Sequence, residues 1–485
     1  MHSSNSASGD SADSADSAGR FPALTGLPPD FTFGTATAAY QIEGAHDEDG
    51  RGPSIWDTYC REPGRIEGAA TGDVACDHYH RYREDVALLR ELGVDSYRFS
   101  VSWPRVQPTG TGPANAPGLD FYDRLTDELL AAGIRPAVTL YHWDLPQALE
   151  DRGGWRVRET AERFAAYTAL VAERLGDRVH RWITLNEPFC SAFLGYATGR
   201  HAPGAREGRG ALAAAHHLLV GHGLAVRALR AADVAGEIGI TLNPDRLLPA
   251  TGSPADQAAV RRAETLHNET WFDPLFAGRY PRGEAETWGP AAEGATHRRP
   301  DDLALIGAPL DFLGINYYRP LTLADAPYRD PDPVTRTATD IRVAERPRDD
   351  VRHTTMGWPV VPHAFTDLLV DLSARYPALP PLLITENGSA EADTVTEDGP
   401  RGRVHDADRI GYLRDHLAAV AEAVRAGVDV RGYYVWSLLD NFEWARGYGQ
   451  RFGLVRVDYA TQRRIPKDSY HWFRDLINAH RKAAR

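Results

Sequence analysis

Two glutamates in this 485-residue chain stand where an apolar run gives way to a turn: Glu187 in Thr-Leu-Asn-Glu-Pro and Glu386 in Ile-Thr-Glu-Asn-Gly. Two carboxyls can share work that one cannot. A protonated one delivers its proton to a leaving oxygen, while an ionised one stabilises or captures an electron-poor carbon, which is what cleavage of an acetal between sugars requires. The proline after Glu187 predicts extended backbone at that residue and a strand end. Asn387-Gly388 is a turn signal that leaves Glu386 at a strand end as well. Either glutamate alone has an ordinary explanation, a structural pair with a buried arginine; both within one polar ring do not.

That ring is built from the polar residues that follow the other apolar runs. They are Gln41 and Glu43, Arg98, His142 in Tyr-His-Trp-Asp, Asn186, the run Asn316-Tyr317-Tyr318, and Trp436 with Asp440 to Trp444. Gln41, His142, Asn186, Tyr318 and Glu443 supply the mixed donors and acceptors that a sugar's hydroxyls need. The indole of Trp436 offers a flat face to its axial C–H bonds.

Strand-like runs capable of carrying these residues cover Phe31–Thr35, Asp95–Val101, Ile134–Tyr141, His180–Leu185, Glu237–Leu242, Asp311–Asn316, Leu382–Thr385 and Val430–Trp436. Amphipathic stretches lie between them. Tyr82, Val86, Leu89 and Leu92 recur at helical spacing with Gly93 as the stop, and similar patterns cover Leu119–Ala132, Ala161–Leu175, Ala211–Ala231, Asp256–Phe276, Pro362–Arg375, Asp406–Ala426 and Asp468–Ala479. Pro136–Leu140 and Leu382–Thr385 are nearly continuous apolar runs, as expected of parallel strands buried on both faces. Eight alternating units predict an α/β fold, a single (β/α)8 TIM barrel with long βα loops and its site at the carboxyl ends of the strands. The extra length falls in Asp47–Gly72, Ala277–Pro309 and Ala324–Val361, which read as loops on one catalytic barrel spanning 21–485 and not as a second domain.

Composition narrows the function classes. Apolar residues make up 42% of the chain, enough for a large core. The net charge of −13, with no basic stripe, argues against nucleic acid. Residues 1–20, rich in Ser, Ala and Asp, have neither the basic start nor the apolar run of a secretory signal and read as a disordered tail. No run approaches a membrane span. Three cysteines (Cys60, Cys76, Cys190) are too few for a disulfide framework and point to a reducing, cytoplasmic setting. Cys76, His78 and His80 do not share a helix face, so no metal is expected. His216, His217 and His222 read as packing or surface residues, and Arg261-Arg262 and Arg298-Arg299 as exposed charge.

With these residues in place, the chain resembles the glycoside hydrolase family 1 β-glucosidases. Four segments carry the resemblance in the expected order: 97–105 (Tyr-Arg-Phe-Ser-Val-Ser-Trp-Pro-Arg), 184–188, 384–388 and 436–444 (Trp-Ser-Leu-Leu-Asp-Asn-Phe-Glu-Trp). The resemblance implies a retaining double displacement without a cofactor, with Glu386 as nucleophile and Glu187 as acid/base. It implies that Gln41, His142, Asn186, Glu443 and Trp444 hold the non-reducing sugar on the Trp436 platform. Arg98 and Tyr318 would hold Glu386 ionised, and the charge of Glu386 would keep Glu187 protonated. The implied partners are small β-glucosides or cello-oligosaccharides, with tolerance for β-galactosides and β-fucosides.

Two departures bear on the leaving-group side. Phe189 stands where the family commonly has Trp, and Pro359-Val360-Val361 replaces a stretch that often carries an acid and further aromatics. A non-catalytic sugar binder is disfavoured because both acids are kept, and a myrosinase-like enzyme because Glu187 is kept. A 6-phospho-β-glycosidase is disfavoured because Glu443 would repel a phosphate and 445–452 has no lysine.

Overall fold

Eight short runs of the chain, buried at nearly every position, become strands because a parallel sheet covered on both faces has no place for an exposed side. They are β1 (Thr32–Ala36), β2 (Ser96–Ser100), β3 (Arg135–Tyr141), β4 (Arg181–Asn186), β5 (Glu237–Leu242), β6 (Phe312–Asn316), β7 (Leu382–Asn387) and β8 (Val430–Trp436). The strands close into a parallel barrel in the order β1-β8-β7-β6-β5-β4-β3-β2. The computed structural model describes residues 21, 25–289, 292, 297–327, 339–396 and 402–484. The stretch read as a tail, 1–20, lies outside the described residues.

Helices pack outside the strands: α1 (His78–Leu92), α2 (Ala116–Ala131), α3 (Arg158–Leu175), α4 (Arg209–Ala231), α5 (Pro254–Glu264), α6 (His363–Arg375), α7 (Ala407–Arg425) and α8 (Asp468–Ala483). In α1 the predicted stripe of Tyr82, Val86, Leu89 and Leu92 is buried, and Gly93 ends the helix at φ +77°. A left-handed residue there is cheap for glycine, which has no Cβ to clash.

The stretch predicted as one helix over Asp256–Phe276 is broken. After α5 the chain makes wide π-type turns at Thr265–Glu269 and Asp273–Ala277. Thr265 and Thr270 return hydroxyls to Arg261 O and Thr265 O, and Pro274 has no N–H to donate. The insertions read as loops also carry structure. Ile55–Cys60 is a helix capped reciprocally by Ser54 and Asp57, and Val343–Glu345 adds to a small sheet with Pro320–Asp325 and Arg246–Pro249. Two arginines read as exposed are not. Arg262 is buried against Asp325 and the carbonyls of Ile341 and Arg342, and Arg298 stacks 3.7 Å from the centre of the Tyr280 ring.

The barrel interior is layered. At its base Tyr434 Oη donates to Ser96 Oγ (2.9 Å) and accepts from Arg181 (3.3 Å). Above that, Arg98 Nε donates to Thr139 Oγ1 (3.1 Å) and Thr241 Oγ1 donates to Thr385 Oγ1 (3.2 Å). The mouth above Arg98 is where the two glutamates emerge.

Candidate active site

Both glutamates sit on irregular strand ends. The β4–β5 ladder shifts register between Ile183 and Asn186, and the β6–β7 ladder between Ile384 and Glu386. Such a shift re-aims the side chain that follows. The extended backbone predicted for Glu187 is not found: its φ is +44°. Its N–H donates to Thr241 O of β5 (3.0 Å), and its carbonyl accepts from Cys190 N–H (2.9 Å), so the chain must turn within that residue. Trp143 (φ +77°) and Trp444 (φ +50°) are strained in the same way. Such residues cost about 1–3 kcal/mol each and gather where function needs a side chain aimed against local preference. β7 runs two residues past its predicted end at Thr385, because Asn387 is tied to Tyr317 O (2.6 Å) and to Tyr433 Oη (2.5 Å). The next residue must be Gly388, since a Cβ there would lie 1.9 Å from Trp436 O.

One chain of hydrogen bonds fixes the polarity of the site, because Arg98 can only donate. Its guanidinium reaches Glu386 Oε1 (2.7 Å), Thr385 O (3.1 Å) and Asn186 Oδ1 (2.6 Å). With its oxygen facing Arg98, Asn186 turns its Nδ2 to His142 Nε2 (3.1 Å). That nitrogen is therefore an acceptor, and the proton of the neutral ring sits on Nδ1. Asn316 Nδ2 in turn donates both to Asn186 Oδ1 (3.1 Å) and to Glu187 Oε1 (2.7 Å), and its own oxygen accepts from Thr385 (2.8 Å). Tyr318 Oη donates to Glu386 Oε2 (2.7 Å).

The two acids are unequal. Burial, then the charge of Glu386, pushes Glu187 up to about 8. The resemblance attributed this to the neighbouring charge alone, but desolvation is the larger cause. Burial raises Glu386 too, and Arg98, Tyr318 and Asn316 oppose that rise. Burial and a neighbouring charge thus favour the protonated form of Glu187, while a guanidinium and a hydroxyl favour the charged form of Glu386. Burial and the field of Arg98 drive His142 well below its ordinary value, so it stays neutral.

Both carboxyls line a cavity of about 1140 Å³ together with His142, Trp436, Glu443 and Trp444. The His142 ring lies nearly parallel to Trp436 (5.8 Å, 17°) and Trp444 (6.0 Å, 16°). Gln41 spends its Nε2 on Asn441 Oδ1 (3.0 Å) and Phe442 O (2.8 Å). Among the described residues, Gln41 Oε1, His142 Nδ1 and Glu443 Oε2 are buried without a hydrogen-bond partner. A donor and two acceptors left open beside an indole face can bind a polyol ring, and leaving them open is costly for any other purpose. Farther out, Tyr318 meets Trp358 (5.3 Å), and Phe189 stacks on His267 (4.6 Å, 23°).

The structure thus brings Gln41, Arg98, His142, Asn186, Glu187, Tyr318, Glu386, Trp436, Glu443 and Trp444 to one end of the barrel. Glu43 turns away, paired with Arg105 (2.9 Å) and Tyr122 (2.7 Å), and Asp440 is bound to Lys467 (2.7 Å). The strand-end rule placed Asn316 in the polar ring, but sequence reasoning assigned it no role. Cys190, whose thiol lies 3.2 Å from Glu187 Oε2, carried no motif that could have marked it. Cys76, His78 and His80 go separate ways: to Asp440 O, to Asp85, and to Asp77 with Glu48. The first two are buried, and His216, His217 and His222 are buried packing residues.

A closed (β/α)8 barrel whose mouth holds two unequal acids beside unsatisfied donors and acceptors belongs to the class of glycoside hydrolases. The profile of Glycosyl hydrolase family 1 matches residues 24–482, and the chain belongs to that family. It is 50% identical to the thermostable beta-glucosidase B of Thermobispora bispora, over 93% of this chain and 90% of that one. It is 48% identical to the bifunctional beta-D-glucosidase/beta-D-fucosidase of Bifidobacterium breve, over 94% and 98% respectively. The solved psychrophilic beta-glucosidase BglU of Micrococcus antarcticus superposes with a TM-score of 0.89 at 48% identity, covering 95% of this chain and 99% of that one.

Proposed function

We propose that this chain is a retaining exo-β-glucosidase that releases terminal non-reducing β-D-glucosyl units from small β-glucosides or cello-oligosaccharides. The observation that carries the reading is the asymmetric pair, with Glu187 pushed up to about 8 while Arg98 and Tyr318 grip Glu386. In the first step a Glu386 oxygen attacks the anomeric carbon as the bond to the leaving oxygen breaks and Glu187 protonates that oxygen. Ester formation removes the charge of Glu386, so Glu187 becomes a stronger acid and is left ionised. In the second step it takes a proton from water, whose oxygen displaces Glu386. The cycle closes with two carboxyls and one water.

Substrate breadth follows from the wall. Gln41 Oε1 and Glu443 Oε2 are acceptors that hydroxyls of either orientation at one carbon can reach, which supports tolerance for β-galactosides and β-fucosides; the Bifidobacterium breve relative is named for both glucoside and fucoside cleavage. A phosphorylated sugar is disfavoured because Glu187, Glu386 and Glu443 gather at the site and the Arg98 guanidinium is committed to Glu386 and Asn186. The buried cysteines, all free, fit the cytoplasmic reading. Proton NMR of the first turnovers tests the mechanism: β-glucose appears ahead of mutarotation, and α-glucose appearing first would overturn it.

A further inference from the structure

The hydrogen-bond chain from Arg98 settles which oxygen of Glu187 can carry the proton. Asn186 Oδ1 faces Arg98, so Asn316 must present its amide nitrogen, and Glu187 Oε1 accepts from it permanently. The proton then resides on Oε2. That oxygen has one described protein partner, the thiol of Cys190 at 3.2 Å. Cys190 lies three residues on, at the start of a wide helical turn (Cys190–Ala197), and its N–H is bonded to Glu187 O (2.9 Å). Backbone and side chain are thus held as one unit.

We propose that Cys190 is a positioning residue for the proton-carrying oxygen of Glu187, its thiol donating to Oε2 when the carboxyl is ionised and accepting from it when protonated. A thiol can do both by rotating about Cβ–Sγ, being a weak donor and a weak acceptor. An amide such as Asn316 Nδ2 cannot, because it only donates. Both residues are buried at the wall of the cavity. Asn243 Nδ2 approaches the far side of the sulfur at 3.7 Å, limiting where the thiol can swing. Burial beside Glu187 pushes the Cys190 thiol well up, so it stays S–H through the cycle.

The inference rests on Glu187 being the acid/base, and the groups around it define what else shifts its titration. Glu386 faces it from β7, Arg98 from β2, Asn316 and Tyr318 from β6 and the residues after it, and Glu443 from the segment after β8. Asp245, paired with His267, faces Cys190 from the segment after β5. None of these changes in a Cys190 variant. Removing the S–H donor destabilises the ionised form and moves the alkaline limb of kcat/KM to higher pH.

The test measures pH–rate profiles with an alkyl β-glucoside, which needs a proton at its leaving oxygen, and with a 2,4-dinitrophenyl β-glucoside, which does not. Cys190→Val, close in volume, and Cys190→Ala both lack the donor; Cys190→Ser keeps one. With the alkyl substrate the limb in C190V and C190A moves up by about 0.5 on the pH scale, and the rate falls several-fold, with C190S restoring both. With the dinitrophenyl substrate the three variants stay near the parent. Limbs in C190V and C190A that coincide with the parent's would overturn the proposal and leave Cys190 as packing. A separate arm isolates the premise: if Glu187→Gln keeps its alkyl-glucoside rate, the acid/base reading fails whatever Cys190 does.

Discussion

Asp440, buried, and Glu443, half-buried, lie three residues apart in the segment after β8, yet their surroundings drive them in opposite directions. Asp440 faces a packed cluster behind the site. Burial pushes it up, but Lys467, Arg451 and Arg409 outweigh that and hold it below the ordinary range. Lys467 also binds Asp393 (2.6 Å), and Arg409 ties Asp393 and Asp406 together. Glu443 faces the cavity with no cation paired to it among the described residues, and burial with the charges of Glu386 and Glu187 pushes it up to about 8. The difference separates structure from function. Where the fold needs a buried charge, it supplies partners; where a ligand must bind, it leaves polar atoms open and bears the cost.

Substitutions on the two sides should therefore part company. Glu386→Gln removes the oxygen proposed to attack the anomeric carbon and should lower turnover by on the order of 10^4-fold or more at an unchanged or higher melting temperature. Near-normal rates in that variant would break the comparison at its centre. Glu187→Gln should cost about 10^2–10^4-fold on alkyl glucosides and far less on dinitrophenyl glucosides, read as a ratio of kcat/KM values. On the structural side, Lys467→Met removes the cation shared by Asp393 and Asp440, leaving them to Arg409 and Arg451, and should cost about 3–5 kcal/mol in urea unfolding. The specific activity of its folded fraction should change little.

The smallest effect sharpens the comparison most. Glu443→Gln should lose about 1.5–3 kcal/mol of transition-state binding, seen as a drop in kcat/KM. Its stability should move the other way. The raised value of Glu443 makes its contribution fully present below pH 4.5, its ordinary value, and lost as pH rises through about 8. A neutral amide has no such loss, so the variant should melt higher than the parent at pH 9 and show no such advantage at pH 4. A variant that melts lower at pH 9 would mean that Glu443 is paired after all.

Much of this was legible in the sequence for local reasons. The period of buried residues marked the strands to within a residue or two at most ends, and polar residues just past each run marked the mouth. Reading failed where one residue's environment outvoted its neighbours. Pro188 predicted an extended Glu187, but hydrogen bonds to β5 and to Cys190 force a positive φ there. Thr265, Thr270 and Pro274 broke a helix whose apolar spacing looked continuous. Arg262 and Arg298 looked solvated because their partners are distant in sequence.

By itself the order of residues determined the alternation of strands and helices, the barrel that follows from it, and which side chains stand at strand ends, because those depend on period and turn chemistry within a few neighbours. Only the closed barrel decided which of two glutamates keeps its proton, which nitrogen of His142 is protonated, and which oxygen of Glu187 meets a thiol. Those outcomes depend on burial and on hydrogen bonds between strands that the chain brings together only when the barrel shuts.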